Sequence, residues 1–371
     1  MPWRLVKIPP FVAGWFIQEQ QSMTGVSIFK EIREELERHN ISKVDVLDAL
    51  ESLPKSSVLL IGDLIIDLYT FCTAIGKTAK TPTLSVKRGH TDTYWGGAAL
   101  FAKNFLGLGA KVNFITVCGN DWVYEYMRKE QIRDLRLHLF IDDQRPTTLK
   151  ERFWVDGYKL LQVDTINNDD IGEPIQKQLE SKLGALIESC DLVLVSDSRH
   201  GIMAPELITF TKDLCIRKKK PLIVDTQVSS RSGNLEAYVG VDMICANENE
   251  ARYFLRDERS DTRVILDKLY EQLGVSRLFL KLGLEGLMGY EKNKAFFRLP
   301  AIPVEVKDPI GSGDAFLSAA ALTYRPEVKL MASAFVATCA GSLAVTKMGT
   351  VPNNFEELSN FVQEKLNEVF K

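Results

Sequence analysis

Short apolar runs recur along this 371-residue chain, and each is separated from the next by a stretch that can form a helix. Most of these runs lack the alternation of apolar and polar residues that marks a strand with one face in water, so we expect strands buried on both faces. Such strands form a parallel sheet covered by helices, and its ligands bind at the carboxyl ends of the strands. The predicted strands are residues 58–61, 111–117, 191–196, 221–225, 241–246 and 277–282.

Composition limits the partners of this α/β protein. Apolar residues make up 45% of the chain, and its net charge of −3 argues against a general nucleic-acid or anionic-membrane partner. Its six cysteines form no C-x-x-C pair and its four histidines lack metal-ligand spacing, which favours reduced thiols in a cytoplasmic protein. No apolar run reaches the ~18–20 residues that span a bilayer, and Pro9-Pro10 interrupt the apolar N-terminus, so we expect no signal peptide and no membrane contact.

The chain divides into two predicted parts. Residues 1–54 are expected to form a helical appendage, and residues 55–371 a catalytic domain that starts with the strand at 58–61. Two polar stretches within this domain, at about 68–94 and 147–164, do not follow the strand–helix rhythm. They are predicted to be extended, antiparallel segments.

Residues 304–316 carry the clearest chemical signal. Alternation at 304–307 predicts a strand, Asp308-Pro309 ends it, and Gly311-Ser312-Gly313 precede an Ala-rich helix with Asp314 in its first turn. The free N–H groups of a helix start, approached closely through glycine, form a pocket for a phosphoryl group. A carboxylate beside it can accept the proton of an attacking hydroxyl. An ordinary helix start is the alternative.

The segment Asp308-Pro309-Ile310-Gly311-Ser312-Gly313-Asp314 resembles the C-terminal signature of the ribokinase-like (PfkB) carbohydrate kinases, D-T-x-G-[AS]-G-D, with Pro309 in place of Thr. The resemblance implies a ribokinase-like parallel-sheet three-layer core with a small β-sheet lid, which often forms the dimer contact. It implies that Asp314 is the catalytic base and that Gly311, Ser312 and Gly313 form the anion hole, with Asp308 nearby in the ATP site.

Two further stretches resemble the sugar site of this family. Gly62-Asp63-Leu64-Ile65-Ile66-Asp67 implies sugar-hydroxyl contacts from Asp63 and Asp67, and Gly96-Gly97 imply close backbone approach to the sugar, although Leu100 stands where Asn is usual. Exposed strand-end carboxylates and a plain helix start are the alternatives. A phosphate on the substrate would require a basic side chain, with Lys150 and Arg152 taken as contacts from six candidates. Those candidates are Lys77, Lys87, Arg88, Lys103, Lys150 and Arg152.

The nucleotide side rests on weaker patterns. Asn247 and Glu250 match the family's N-x-x-E, which organises Mg²⁺ largely through water, although a helix cap gives the same pattern. The ATP site would include Lys281, Gly283 and Gly286, and the small-residue stretch 337–341, with Cys339, resembles the wall of the adenine pocket. Solvated lysine and tight helix packing are the alternatives.

The branch most similar to residues 58–371 is the D-glycero-D-manno-heptose-7-phosphate kinases, the kinase half of bifunctional ADP-heptose synthases. The resemblance implies an ATP- and Mg²⁺-dependent kinase for a sugar or sugar phosphate. Gln162 stands where Arg is common, and the H-x-G-H of the nucleotidyltransferase half is not in this chain. Two other hypotheses are a dinucleotide-dependent oxidoreductase, disfavoured because no G-x-G-x-x-G follows the first strand, and a non-catalytic sugar- or nucleotide-sensing protein.

Overall fold

The computed structural model describes residues 25–78, 80–227, 233–291 and 296–371. In chain order its strands are β1 (Ser57–Gly62), β2 (Leu64–Lys77), β3 (Leu84–Gly97), β4 (Lys111–Cys118), β5 (Leu135–Ile141), β6 (Thr148–Val155), β7 (Tyr158–Thr165), β8 (Leu192–Asp197), β9 (Leu222–Thr226), β10 (Met243–Asn247), β11 (Arg277–Lys281), β12 (Leu287–Glu291) and β13 (Phe297–Leu299). Its α-helices are α1 (Gly25–Arg38), α2 (Lys43–Ser52), α3 (Ala98–Gly107), α4 (Trp122–Lys129), α5 (Glu173–Leu186), α6 (Pro205–Lys218), α7 (Glu248–Leu255), α8 (Thr262–Leu273), α9 (Ser312–Leu322), α10 (Leu330–Ala344) and α11 (Phe355–Val369).

The larger sheet has nine strands among the described residues, in the order β13-β12-β11-β10-β9-β8-β1-β4-β5. Its neighbours from β11 through to β5 pair in parallel, and only β12 and β13 add antiparallel pairs at one edge. All six predicted strands are therefore confirmed as members of one mostly parallel sheet. Their carboxyl ends lie along one edge of the sheet, which we call the carboxyl edge.

Helices cover both faces of this sheet. Consecutive residues of β1 point into different cores, because Leu60 joins one buried cluster while Leu59 and Ile61 join the other. Side chains from α2, α3, α9, α10 and α11 fill the first core, and those from α5, α6 and α8 fill the second. The predicted three-layer core is confirmed. Within the described part of the chain, none of the helices combines the length and apolar character needed to cross a membrane.

Helices α1 and α2 pack on the first core. Leu36 and Leu50 are buried in it, and the backbone N–H of Arg298 donates to Glu35 Oε1 over 3.1 Å, which joins α1 to β13. Helix α2 begins with a reciprocal capping box between Ser42 and Asp45. The boundary proposed at residues 54 and 55 stays a prediction.

A second sheet, which we call the lid, has the order β3-β2-β6-β7. The pairs β2–β3 and β6–β7 are antiparallel hairpins, whereas β2 and β6 pair in parallel. The lid is thus mixed rather than wholly antiparallel. The reason is topological: two hairpins lie side by side, and their first strands, which run in the same direction, form the shared contact.

The strand predicted at residues 304–307 is wrong. No regular structure occurs there, and the N–H groups of Lys307 and Asp308 both donate to the carbonyl oxygen of Val345, over 2.8 and 3.2 Å. The chain leaves the sheet after β13, and Pro300 and Pro303 cannot donate ladder hydrogen bonds. The alternating residues 304–307 therefore belong to an irregular segment that is hydrogen-bonded to the end of α10, and Val306 in it is exposed.

Candidate active site

The carboxyl edge of the large sheet brings three chain segments to the start of α9. Asp225 is the penultimate residue of β9, Asn247 ends β10, and Lys281 ends β11. Asn247 and Lys281 are partners in the parallel register, so neighbouring strands deliver them side by side. This convergence follows from the parallel topology and needs no loop of special length.

A glycine turn at residues 311–313 starts α9, as predicted. Gly311 has a φ of 83°, in the left-handed region that favours glycine, and it caps the helix. A side chain at Gly311 would lie 3.4 Å from Leu100 Cδ2 and 3.5 Å from Thr350 Cγ2. Leu100 therefore provides an apolar floor beneath the turn. Ser312 is the first residue of the helix.

Asp314 lies in the first turn of α9 and is partly exposed. Burial raises the pKa of its carboxyl group to about 7, with a further increase from the negative charge of Asp225 and an opposing effect from Lys281. A carboxyl group with this pKa gains and loses its proton near neutral pH. That is the property expected of a general base at this position.

Lys281 reaches the glycine turn from β11. Its ammonium nitrogen lies 3.0 Å from the position that a Cβ on Gly313 would take, so the turn and the ammonium are in contact. Burial alone lowers the pKa of Lys281, but Cys245, Asp225 and further carboxylates raise it overall. The side chain therefore stays positively charged.

Asp308 is committed to the backbone. It is buried, and its two carboxylate oxygens accept from the N–H groups of Ile310 and Gly349, each over 3.1 Å. These bonds fix the entry to the glycine turn and join it to the loop after α10. Asp308 thus shapes the pocket from behind, and a direct contact with a nucleotide stays a prediction.

Asp67 and Arg152 form a buried ion pair on the lid. Burial raises the pKa of Asp67, against the lowering effect of Arg152 and Lys150. The register places Asp67 beside Lys150, Tyr69 beside Arg152 and Phe71 beside Trp154, so these side chains share one side of the lid, the inner face. The charge of Asp67 also raises the pKa of Asp314, so the two carboxylates lie close enough to interact.

Three buried donors on the inner face have no hydrogen-bond partner among the described residues. They are the hydroxyl of Tyr69, Nε of Arg152 and Nε1 of Trp154. Buried donors are almost always satisfied in native proteins, so water or a ligand with acceptor atoms is expected there. No role was predicted for Tyr69 or Trp154. Their alternation with Asp67 and Arg152 along the two strands is the signal that locates them.

Close packing within the protein requires the two glycines at the lid junction. A Cβ on Gly96 would lie 2.5 Å from Asp67 Oδ2, and one on Gly97 would lie 2.6 Å from the carbonyl oxygen of Asp63. Gly97 also has a φ of 53°. These contacts alone require both glycines, and the predicted backbone approach to a sugar stays a prediction.

Asp63 is also internal. Its carboxylate accepts from the N–H groups of His200 and Ile202, each over 3.2 Å, and it is almost fully buried. Burial, followed by the charge of Asp197, raises its pKa to about 7. Asp63 holds the loop after β8 in place, so the geometry does not support the predicted sugar contact.

On the nucleotide side, Asn247 and Glu250 cap α7. The Asn247 side chain accepts from Glu250 N–H over 2.9 Å, and Glu250 Oε2 accepts from Asn247 N–H over 2.8 Å. Among the residues that the structure describes, no group of three or more His, Cys, Asp or Glu side chains is arranged to hold a metal ion. The helix-cap alternative accounts for the pattern, and any role with Mg²⁺ would act through water.

The remaining nucleotide candidates are dispersed. Gly283 and Gly286 lie in the turn between β11 and β12, with φ values of 60° and 93°. A Cβ on Gly286 would lie 2.1 Å from the carbonyl oxygen of Leu299, so this glycine permits the turn to pack beneath β13. Cys339 does not join the site: it is fully buried in the core, and the charge that acts on it is that of Lys365 on α11.

Of the six cations proposed for a substrate phosphate, only Lys150 and Arg152 lie on the inner face. Lys77 and Lys87 are exposed, and Arg88 forms an ion pair with Glu151 on the opposite side of the lid. Lys103 stacks on the ring of Trp95 at 4.4 Å, and burial lowers its pKa. The two cations chosen from the sequence are thus the two that share a face with Asp67.

A three-layer core, a lid and a carboxylate at a glycine-bounded helix start define a phosphotransferase with the ribokinase-like fold. The chain belongs to the pfkB family of carbohydrate kinases, which matches residues 55–357. This family membership confirms the resemblance found in the sequence.

Curated relatives and solved structures agree with that membership. The chain is 28% identical over 316 residues to the "Bifunctional protein HldE" of a Nitratiruptor species, covering 83% of this chain and 65% of that protein. It is 27% identical over 317 residues to the HldE protein of a Campylobacter jejuni strain, covering 84% and 65%. The chain thus spans less than two thirds of the length of these relatives.

Two solved structures share the fold. Escherichia coli phosphofructokinase-2 in complex with fructose-6-phosphate superposes with a TM-score of 0.68 at 16% identity, covering 84% of this chain and 99% of that one. Ribokinase from Thermotoga maritima gives a TM-score of 0.64 at 19% identity, covering 83% and 99%.

The packing of Gly96 leads to a stability prediction. In Gly96→Ala the new methyl group lies 2.5 Å from Asp67 Oδ2, so we expect a loss of about 1–3 kcal/mol in the free energy of unfolding from overpacking. In the control, Gly184→Ala in α5, a Cβ meets nothing within 4 Å and adds helix propensity, for a gain of about 0.5–1 kcal/mol. Urea unfolding measures both. If Gly96→Ala were as stable as the unmodified protein, Asp67 could move away from the new methyl group at no cost.

Proposed function

We propose that this protein transfers the γ-phosphate of ATP to a hydroxyl of a phosphorylated sugar, as a heptose-7-phosphate 1-kinase would. One observation carries the proposal: Asp314, with a pKa of about 7, lies at the glycine-bounded start of α9 and close enough to Asp67 on the lid to be affected by its charge. A base, an anion pocket and an acceptor surface are what phosphoryl transfer needs from a protein, because its catalysis is positioning and electrostatics. The similarity to HldE proteins supports the choice of a heptose.

The acceptor side favours a sugar that carries a phosphate. Lys150 and Arg152 place two positive charges on the inner face, and Tyr69, Arg152 and Trp154 present buried donors that lack partners among the described residues. Phosphate oxygens accept several such bonds at once. Asp67 is held by Arg152, so it can receive a sugar hydroxyl in a fixed position.

On the donor side, the free N–H groups at the start of α9 would stabilise the charge that develops on the transferred phosphoryl group. Asp314 takes the proton of the attacking hydroxyl when it is ionised. Gly283, Gly286 and the turn they form border the nucleotide. Bound to ATP, Mg²⁺ neutralises phosphate charge, and Asn247 and Glu250 would reach it only through water.

The proposed function is tested by an acceptor screen with the purified chain, ATP and Mg²⁺. The acceptors are heptose 7-phosphate, hexose phosphates, free sugars and nucleosides, and ADP release is the readout. We expect heptose 7-phosphate to be preferred. Preference for an unphosphorylated sugar or a nucleoside would exclude heptose 7-phosphate as the substrate. ATP binding without transfer to any acceptor would favour the sensing hypothesis.

The role of Asp314 is tested by Asp314→Asn. Loss of the base should lower kcat at least ~100-fold while ATP still binds, since general bases contribute ~10²–10⁴-fold. Asp213→Asn, which neutralises an exposed carboxylate on α6, is the control. Turnover within a few-fold of the unmodified protein would remove Asp314 from the role of base.

The same carboxyl group predicts a pH profile. Only ionised Asp314 accepts a proton, so kcat/KM should fall as pH drops below about 7, the value to which burial and Asp225 raise this pKa. Asp225→Asn removes the neighbouring negative charge, so the acidic limb should move to lower pH. Rate profiles of both proteins give the two midpoints. Coincident midpoints would contradict the coupling between the carboxylates.

The lid also provides a surface for a second copy of the chain. On its outer face, Phe153, Leu161 and Val163 lie together, because Phe153 pairs with Leu161, and Glu151, two residues along the same strand, pairs with Val163. Leu161 and Val163 are 54% and 47% exposed, and β7 is an edge strand. Exposed apolar side chains on an open sheet edge favour association, so we propose a homodimer through the lid.

Leu161→Asp with Val163→Asp should convert that dimer into monomers, because two charges would be buried without partners at the contact. Light scattering after size exclusion measures the mass. The control is Ile216→Asp on α6, where a 72% exposed apolar side chain lies away from the lid. If the unmodified protein is a monomer, the proposed dimer does not exist. If the double variant stays dimeric, the contact lies elsewhere than on this face of the lid.

A further inference from the structure

A cavity lies at the edge of the large sheet opposite the carboxyl edge, which we call the amino edge. Its volume is about 330 Å³, at the lower end of the range for small-molecule sites. Strand β11 starts there, its antiparallel neighbour β12 ends there, and the loop after α9 forms the remaining wall. Two arginines, Arg277 and Arg325, line the cavity together with Glu291 and Tyr324.

Arg277 is a buried guanidinium with one nitrogen left over. It is 7% exposed, and its Cζ lies 4.6 Å from the centroid of the Tyr324 ring. Its Nε donates to Glu291 Oε1 over 3.1 Å, and its Nη2 donates to the carbonyl oxygens of Arg325 and Val328, over 3.2 and 3.1 Å. Its Nη1 has no hydrogen-bond partner among the described residues. Water or a ligand with acceptor atoms is therefore expected beside this nitrogen.

Arg325 supplies a second donor of the same kind. Its Nη2 donates to Ser56 Oγ over 2.9 Å, but its buried Nε has no partner in the part of the chain that the structure describes. Within that part, no carboxylate lies within 4.0 Å of this guanidinium. The side chain is partly exposed, so it can turn toward a ligand in the cavity.

The charges of the lining side chains favour an anion over water. These side chains include two guanidinium groups and one carboxylate, that of Glu291, so one positive charge is uncompensated. Asp242 lies behind the ring of Tyr324, where its Oδ2 accepts from the N–H of Leu222 over 2.8 Å, and it does not line the cavity. A positive charge enclosed by protein is costly unless an anion pairs with it.

We propose that the cavity at the amino edge binds an oxyanion, the phosphate or carboxylate group of a small metabolite, at a site separate from the candidate active site. A guanidinium can donate to two oxygens of such a group at once, so Arg277 and Arg325 would hold the charged group together. The ring of Tyr324 provides an apolar surface for the rest of the ligand. The proposal does not rest on the kinase function.

This site joins the far ends of two elements that reach the start of α9. Arg277 is the first residue of β11 and Lys281 is its last, whereas Arg325 follows the helix that carries Asp314 in its first turn. An anion between the two arginines would strengthen the contact between β11 and the loop after α9. A ligand there would thus stabilise the packing on which the candidate active site is built.

The test is calorimetric titration of the nucleotide-free protein with inorganic phosphate and, separately, with malonate, at one ionic strength set with chloride. Arg325→Met should weaken binding at the cavity at least ~10-fold, the scale of one hydrogen bond to a charged group. Arg133→Met, which removes an exposed arginine beside β5 across the sheet, is the control. Phosphate can also bind at the start of α9, so only binding that Arg325→Met weakens and Arg133→Met keeps is assigned to the cavity.

Glu291→Gln gives a test in the opposite direction. It removes the carboxylate from the cavity wall, so anion binding should tighten about 2–5-fold, the scale of a partly exposed ionic interaction. A variant that merely loosens the fold does not bind its ligand more tightly, so this result separates the site from a structural role of the arginines.

The two anions distinguish the sources of the charged group. Binding of phosphate alone at the cavity identifies a phosphorylated ligand, binding of malonate alone identifies a carboxylate, and either result supports the site. Equal binding of both anions by the unmodified protein and Arg325→Met, or no tightening in Glu291→Gln, would overturn the proposal. Because no ATP or acceptor is present, the outcome is independent of whether any sugar is phosphorylated.

Discussion

Desolvated carboxylates at the carboxyl edge and on the lid are the constraint around which the site is built. Asp67, Asp197, Asp225 and Asp314 each have a pKa raised chiefly by burial, as does Asp63 beside them. Raised carboxyl pKa values mean that folding favours the protonated forms. For Asp63 and Asp314 this stability is fully present below pH 3.8 and is lost as pH rises through about 7. The protein therefore holds charge at neutral pH at the expense of stability, as active sites commonly do.

These carboxylates differ in the groups that balance their charge, and this difference separates those with a structural role from those proposed to act on a substrate. Backbone N–H groups hold Asp63 and Asp308, each of whose oxygens accepts one of these bonds, and the bonds fix two loops. A guanidinium holds Asp67, and the ammonium of Lys281 acts on Asp314 from a distance. In the proposed function, Asp67 and Asp314 are the carboxylates that receive a hydroxyl. The partner of a carboxylate, rather than its position after a strand, decides whether it is available to a substrate.

The sequence predicted the parts of the molecule that local patterns determine. Runs such as 58–61 are apolar on both faces, so they specify a parallel sheet wherever they lie, and Gly311 specifies a left-handed turn. The direction in which side chains point was harder to predict from the sequence. Asp63 and Asp67 look alike in sequence, but the loop after β8 captures one and Arg152 captures the other. Cys339 is buried in the core, whereas Gly341, two residues further along α10, packs against α9 close to the carbonyl oxygen of Ser312.

Long-range contacts decided what the patterns left open. Asp225 was predicted only as part of a strand, because its effect on Asp314 arises from the fold and not from spacing. The alternating segment at 304–307 looked like a strand until the end of α10 supplied its hydrogen-bond acceptor. Period-two alternation reports which side chains share a face, but a strand also needs a neighbouring strand with free backbone groups.

The lid and the glycine turn are built on one shared loop. Asp308 accepts from the N–H of Gly349, and a Cβ on Gly349 would lie 2.9 Å from the ring of Tyr94 on β3. Thr350, in the same loop, donates to the carbonyl oxygen of Trp95 and lies beneath Gly311. The base and the acceptor surface are therefore positioned against each other by backbone contacts a few residues long. In the proposed function, a sugar bound to the inner face would be presented to Asp314 by the same packing that forms the turn.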